Sequence, residues 1–282
     1  MKNFIIRTIT AIIFVIAIVT CFLRPEAMIL LFGLVTGLTI WEFTGLVNNY
    51  QNITVNRMIC TVAGVYFFIA MAGYNSGLTP ATVFIPYLVS IIYLLVAELY
   101  LKQPDPVGDW AYTMFSQLYI ALPFSLLNVL AFRSSGYDIV YTYLAPLSVF
   151  VFLWINDTGA YICGSLLGRH KLFPRISPGK SWEGSIGGGL LVIAVAVLVW
   201  YLTELYGVND LRLSALEWAG LGLVIVVFGT WGDLVESLFK RTLGIKDSGS
   251  ILPGHGGMLD RFDSSLMAIP AAVTYLYTLT LF

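Results

Sequence analysis

Residues Ser237 to Asp263, reading SLFKRTLGIKDSGSILPGHGGMLDRFD, hold four basic side chains, three aspartates, one histidine and five glycines. Charge of that density between long apolar stretches is costly beside a bilayer unless it serves a charged ligand. The set suits phosphate chemistry: carboxylates for a hard cation, ammonium and guanidinium groups for phosphate oxygens, and glycines for close backbone approach. Just upstream, Asp233, Ser237, Lys240 and Arg241 fall at i, i+4, i+7 and i+8, one face of a helix with Glu236 beside them. That face reads as a metal-ligating Asp, a hydroxyl and two cations along a phosphate path. The competing reading is an internal ion pair of Asp233 or Glu236 with Lys240.

The glycine-rich turn that follows lets backbone N–H groups at Gly254, Gly256 and Gly257 face an anion, or else is a tight re-entrant turn. Asp260 and Asp263, three apart, are oxygen donors for a divalent ion, and Asp263 reads equally as a helix N-cap. Carboxylate and hydroxyl donors favour Mg²⁺ over zinc. His255 has no second His or Cys nearby and reads as a hydrogen-bonding partner of phosphate or backbone. Lys246 and Arg261 join Lys240 and Arg241 as candidates for triphosphate or lipid headgroup.

Two clusters lie earlier. WINDTGAYICG sets Asp157 near the end of an apolar run, a site candidate unless it makes a helix–helix hydrogen bond. RISPGKSWEG offers Lys180 as a phosphate contact. It is not a P-loop, because Pro174 stands where that motif needs Gly and no strand is expected before it. Trp182 reads as an interfacial anchor and Glu183 as a helix cap. Glu42 and Glu98, each inside an apolar run, read as structural.

The elements that must carry these residues are membrane helices. Apolar types make up 58% of 282 residues and charged types 11%, against about 25% charged in soluble domains. Apolar runs give about nine spans, near 5–23, 27–47, 58–73, 82–101, 111–132, 141–163, 185–205, 218–236 and 265–282. The expected fold is therefore an all-α polytopic membrane protein. Residues 1–140 form a feature-poor helical region, and 141–282 a catalytic one with charged loops at 164–184 and 237–264. Lys and Arg concentrate in those two loops, which places them, with the N-terminus, on the cytoplasmic side and the C-terminus outside. Cys21, Cys60 and Cys163 lack metal or disulfide spacing and read as reduced thiols.

The Ser237–Asp263 segment resembles the signature of the CTP:phosphatidate cytidylyltransferases (CDP-diacylglycerol synthases), with its Ser, Lys-Arg, Lys-Asp, His-Gly-Gly and Asp-Arg-x-Asp elements in order. DTGAY (Asp157 to Tyr161), SPGKSWEG (Ser177 to Gly184) and GDLVES (Gly232 to Ser237) resemble the family's other segments; before Trp154 the likeness is hydropathy and a Trp41-Glu42-Phe43 fragment. The resemblance implies the reaction CTP + phosphatidate → CDP-diacylglycerol + pyrophosphate. It also implies a Mg²⁺ requirement and a cavity open to cytoplasm and lipid. Its partners would be CTP, phosphatidic acid and the bilayer, with no nucleic acid; a second cation and a homodimer stay open. Asp157, Asp233, Lys240, Arg241 and Asp260 are the expected catalytic set, with Asp233, Ser237, Asp260 and Asp263 holding metal. Ser177, Lys180, Lys246, Asp247, His255, Gly256, Gly257 and Arg261 are the expected substrate contacts. The rival readings are a CTP-dependent lipid or polyprenol kinase, which would transfer the γ-phosphate, and a transporter, which would need broken helices or inverted repeats.

Overall fold

A computed structural model describes residues 2–50, 52–135, 138–208, 211–249 and 256–280. It is a helical membrane protein. The helices are α1 (Lys2–Phe22), α2 (Pro25–Val47), α3 (Arg57–Asn75), α4 (Ile85–Leu101), α5 (Pro106–Ser116), α6 (Leu122–Ala131), α7 (Leu144–Leu167), α8 (Trp182–Leu205), α9 (Ala215–Thr242) and α10 (Leu259–Leu279). A π-turn at Gln117–Ala121 joins α5 to α6, so Pro106–Ala131 acts as one crossing. Among the described residues seven stretches are long and apolar enough to span a bilayer, and α1 and α10 lie where the first and ninth spans are expected.

Two antiparallel hairpins interrupt the helices: β1 (Phe132–Ser135) with β2 (Asp138–Tyr141), and β3 (Lys171–Phe173) with β4 (Ser177–Ser181). Neither is expected from the sequence, since strands of three to five residues leave too short a pattern to read. The Gly-Lys-Ser of 179–181 is thus itself part of a strand. The charged loops are also shorter than expected: α7 continues to Leu167, α9 to Thr242, and α10 starts at Leu259 rather than near 265. Hydropathy ends a span at its first charges, whereas a backbone helix continues for as long as its hydrogen bonds do.

The chain forms two compact units, 1–143 with 242–262, and 144–241 with 263–282. In the first, α2 packs on α1 and α3, and α3 on α6. Its core is aromatic, with Phe32, Phe124 and Phe262 each fully buried or nearly so and the first two edge-on to Phe262: the Phe124 and Phe262 rings are 5.4 Å apart at 84°, Phe32 and Phe262 6.1 Å at 71°. Asn48 fixes the α2–α3 turn by exchanging hydrogen bonds with the Val55 backbone at 2.7 and 2.8 Å.

In the second unit α7 and α8 pair most closely. Small residues permit this: a Cβ on Gly159 would lie 3.0 Å from Gly188 Cα, and one on Gly188 2.7 Å from the Asn156 carbonyl. Close backbone approach of this kind substitutes for a hydrophobic driving force that lipid cannot provide.

Candidate active site

The second unit gathers acids around one ammonium. On α9 the Ser237 hydroxyl donates to Asp233 Oδ1 at 3.1 Å, and Lys180 Nζ, carried by β4, lies 2.6 Å from Asp233 Oδ2. The β3–β4 hairpin holds Lys180 there through its own staples. Trp182 N–H donates to the His170 carbonyl at 2.9 Å, and Glu183 accepts the His170 N–H and lies 2.6 Å from its ring Nδ1. Ser181, not Glu183, caps α8, its hydroxyl accepting the Gly184 N–H at 3.2 Å. Glu183 instead clamps the hairpin to the first turn of α8.

Asp263 belongs to the same cluster. Its helix packs tightly on α9, where a Cβ on Gly232 would lie 2.7 Å from the Asp263 carbonyl, and its carboxylate accepts the Ser264 N–H within electrostatic reach of Asp233, Asp157 and Lys180. It is not an N-cap: α10 begins four residues earlier, and the acid in its first turn is Asp260. Lys180 is paired with Asp233, and the Asp263 and Asp157 charges lie within electrostatic reach, an excess of negative charge that a bound cation would relieve. All the donors are oxygens, which fits a hard divalent ion. Among the described residues no three His, Cys, Asp or Glu side chains stand together as a complete metal set. Two carboxylates and the Ser237 hydroxyl would need substrate oxygens to fill the shell, as Mg²⁺ sites in phosphate enzymes commonly do.

The other expected contacts divide. Lys240 Nζ sits 2.6 Å from Oε2 of the fully buried Glu236 one turn back, so the internal ion pair exists for these two residues. A buried carboxylate holds its charge only with such a partner. Asp157 and Arg241 are exposed, and Ser177 is half-buried on β4 opposite Phe173.

The first unit builds a second carboxylate centre from the signature segment. Glu42, near the end of α2 and 8% exposed, takes the Ser248 hydroxyl at 2.5 Å and the Leu259 N–H at 3.1 Å on Oε1, and the Met258 N–H at 3.0 Å on Oε2. Asp260 Oδ2 accepts the Ser248 N–H at 2.8 Å, the Ser248 hydroxyl at 3.0 Å and the Gly257 N–H at 2.9 Å. Gly257 has to be glycine, because a Cβ there would run into Glu42 Oε1 and Ser248 Oγ. Gly256 adopts φ +80°, the left-handed region that favours glycine. The Gly257 amide, expected to face a bound anion, is thus taken by Asp260, and the amides of Met258 and Leu259 by Glu42. Glu42 satisfies the start of α10 as a cap supplied from a distant helix. Lys246, Asp247 and Arg261 are exposed around this centre, and His255 lies outside the described residues.

A family profile described as the cytidylyltransferase family matches residues 5–279. The chain belongs to this family. Its similarity to single proteins extends just as far: it is 32% identical over 266 residues to the phosphatidate cytidylyltransferase of Staphylococcus aureus (strain COL), covering 94% of this chain and 96% of that protein. The proteins of the same name from Staphylococcus haemolyticus (strain JCSC1435) and Staphylococcus epidermidis (strain ATCC 12228) are each 33% identical over the same coverage.

For this cytidylyltransferase-family chain, the structural reading of Glu42 holds, since it is a buried acid whose two oxygens are taken by hydrogen bonds. What its place inside an apolar helix could not show is the identity of its partners, Ser248, Met258 and Leu259. Asp260 carries a direct test. Asp260→Asn keeps an oxygen to accept the loop N–H groups but removes the charge, so turnover is expected to fall at least about a hundredfold while the melting temperature stays close to wild type. Full activity in that variant removes Asp260 from the metal-binding set.

Proposed function

We propose that the protein is a Mg²⁺-dependent CTP:phosphatidate cytidylyltransferase that makes CDP-diacylglycerol and pyrophosphate. The observation that carries this reading is the Asp233–Lys180–Ser237–Asp263 cluster, in a chain that matches phosphatidate cytidylyltransferases over 94% of its length. A phosphatidate oxygen attacks the α-phosphorus of CTP, the new P–O bond forms, and the bond to the β-phosphate breaks with its electron pair leaving on pyrophosphate. The nucleophile is already ionised at neutral pH, so the protein has to position and neutralise rather than supply a strong base.

Asp233 and Asp263, with Ser237, would hold the metal, and Asp260 keeps the ligand role that its sequence position suggests. Bound Mg²⁺ would supply charge neutralisation at the transferring and departing phosphates. Lys180 holds the Asp233 carboxylate in place and offers its ammonium to a phosphate once a metal shares that carboxylate. Arg241, Lys246 and Arg261 are exposed and would contact the triphosphate or headgroup. The concentration of Lys and Arg in the segments that carry these residues supports a cytoplasmic site in a bacterial cytoplasmic membrane, with the N-terminus inside.

The deciding experiment supplies purified protein with phosphatidate, Mg²⁺ and CTP labelled separately at the α- and γ-phosphates. The expected result is α-label in lipid and γ-label in pyrophosphate. Gamma-label in lipid would make the protein a kinase, and no label in lipid from either position would remove the enzyme reading for this substrate pair.

A further inference from the structure

The mechanism uses β4, the end of α9 and the start of α10, and leaves another feature of the second unit, between α8 and α9, unused. An open apolar cavity of about 440 Å³ lies between these helices, beneath the β3–β4 hairpin, within the ~300–1,000 Å³ range of ligand pockets. On α8 its lining runs from Trp182 to Ile193 along one helical face, and on α9 from Leu223 to Trp231. The α8 wall is roughly 16 Å long at 1.5 Å per residue. That is close to half of the ~30 Å hydrocarbon core, the depth of one leaflet.

We propose that this groove receives one acyl chain of the lipid substrate and sets the enzyme's chain-length preference. The assignment rests on the phosphatidate reading above. Any groove in a bilayer can hold lipid; continuity with the charged cluster is what singles out the substrate. The α9 face that lines the groove reaches Thr230, and three residues further along the same face is Asp233, then Ser237. Phe173 of β3 also lines the groove, and the partner strand β4 carries Lys180 to Asp233. Ser185 and Thr230 are its only hydroxyl-bearing liners. A phosphate at Lys180 and Asp233 therefore has a leaflet-deep apolar slot beginning one helical turn away.

Gly189 forms part of the floor. A Cβ there would meet Val226 Cγ1 at 3.5 Å, an ordinary contact, so the backbone accepts a side chain and a larger one must enter the groove. Ile186 lines the same groove and is 58% exposed, so enlarging it disturbs no core packing. The test compares kcat/KM for dipalmitoyl- and dioctanoyl-phosphatidate, presented at equal mole fraction in mixed micelles with CTP. Wild type is expected to prefer the longer chains. Gly189→Phe and Ile186→Trp are expected to lower the long-to-short ratio at least about tenfold, the scale on which apolar pockets discriminate.

A wild type indifferent to chain length overturns the proposal before any variant is made. An unchanged ratio in Ile186→Trp overturns it as well, whether or not Gly189→Phe folds. If that unchanged ratio comes with a shift in oligomeric state, the groove is a contact between copies of the chain. Wild type inert toward both lipids removes the phosphatidate reading, and the groove assignment with it.

Discussion

Asp233→Asn is expected to lower turnover about 10²- to 10³-fold, the range seen when one preorganised charged or polar partner is removed from a transition state. The reason is local. Asp233 accepts the Ser237 hydroxyl and pairs with Lys180, and its charge repels that of Asp263. Neutralising it lowers the affinity of the cluster for a divalent ion and leaves Lys180 without its carboxylate. A purely structural ion pair would behave differently, because removing both partners of a pair is far less damaging than removing one. The double variant Lys180→Met, Asp233→Asn separates the cases. If the pair serves catalysis, the double variant regains thermal stability but stays as inactive as the single; if it serves only the fold, activity returns with stability.

How much of this was readable in the chain depends on where the partners lie. Asp233 and Ser237 share a helix, so their i, i+4 spacing already places them together. Glu236 and Lys240 have the same spacing, and for them the structural reading holds. Lys180 stands out by type and neighbours as a candidate phosphate contact, but its partner Asp233 does not, because that pairing depends on a hairpin whose strands are too short to leave a periodic trace. The helical course of Asp260 and Asp263 was hidden for a related reason. The apolar run begins only at Ser265, whereas α10 starts at Leu259, where Glu42 satisfies its first amides. Membrane helices were legible almost throughout, since composition alone requires them. What composition could not give was the tie between an acid in α2 and a segment some two hundred residues later in the chain.

That tie makes α2 a support for the start of α10, and Glu42→Gln tests whether turnover depends on it. The amide keeps one acceptor oxygen but turns the other position into a donor facing an N–H. Either the Met258 N–H or the Leu259 N–H is then left without an acceptor in a buried setting, whereas the Ser248 hydroxyl still has Asp260 Oδ2. Such a group costs about 1–3 kcal/mol, so the melting temperature is expected to fall. The same loss frees the start of α10, where Asp260 and Gly257 depend on Ser248 for their arrangement. Turnover is therefore expected to drop by about a hundredfold, the effect of displacing a reacting group by roughly 1 Å. Hydrogen exchange locates the cause: the amides of Met258 and Leu259 are expected to exchange faster in the variant, while those in α7 and α8 keep wild-type protection. Wild-type exchange at these two amides, with wild-type turnover, would mean that Glu42 does not hold the segment. Faster exchange there with full turnover would mean that the segment's order is not needed for catalysis. Slow exchange with lost turnover would instead place the Glu42 carboxylate in direct contact with substrate or metal.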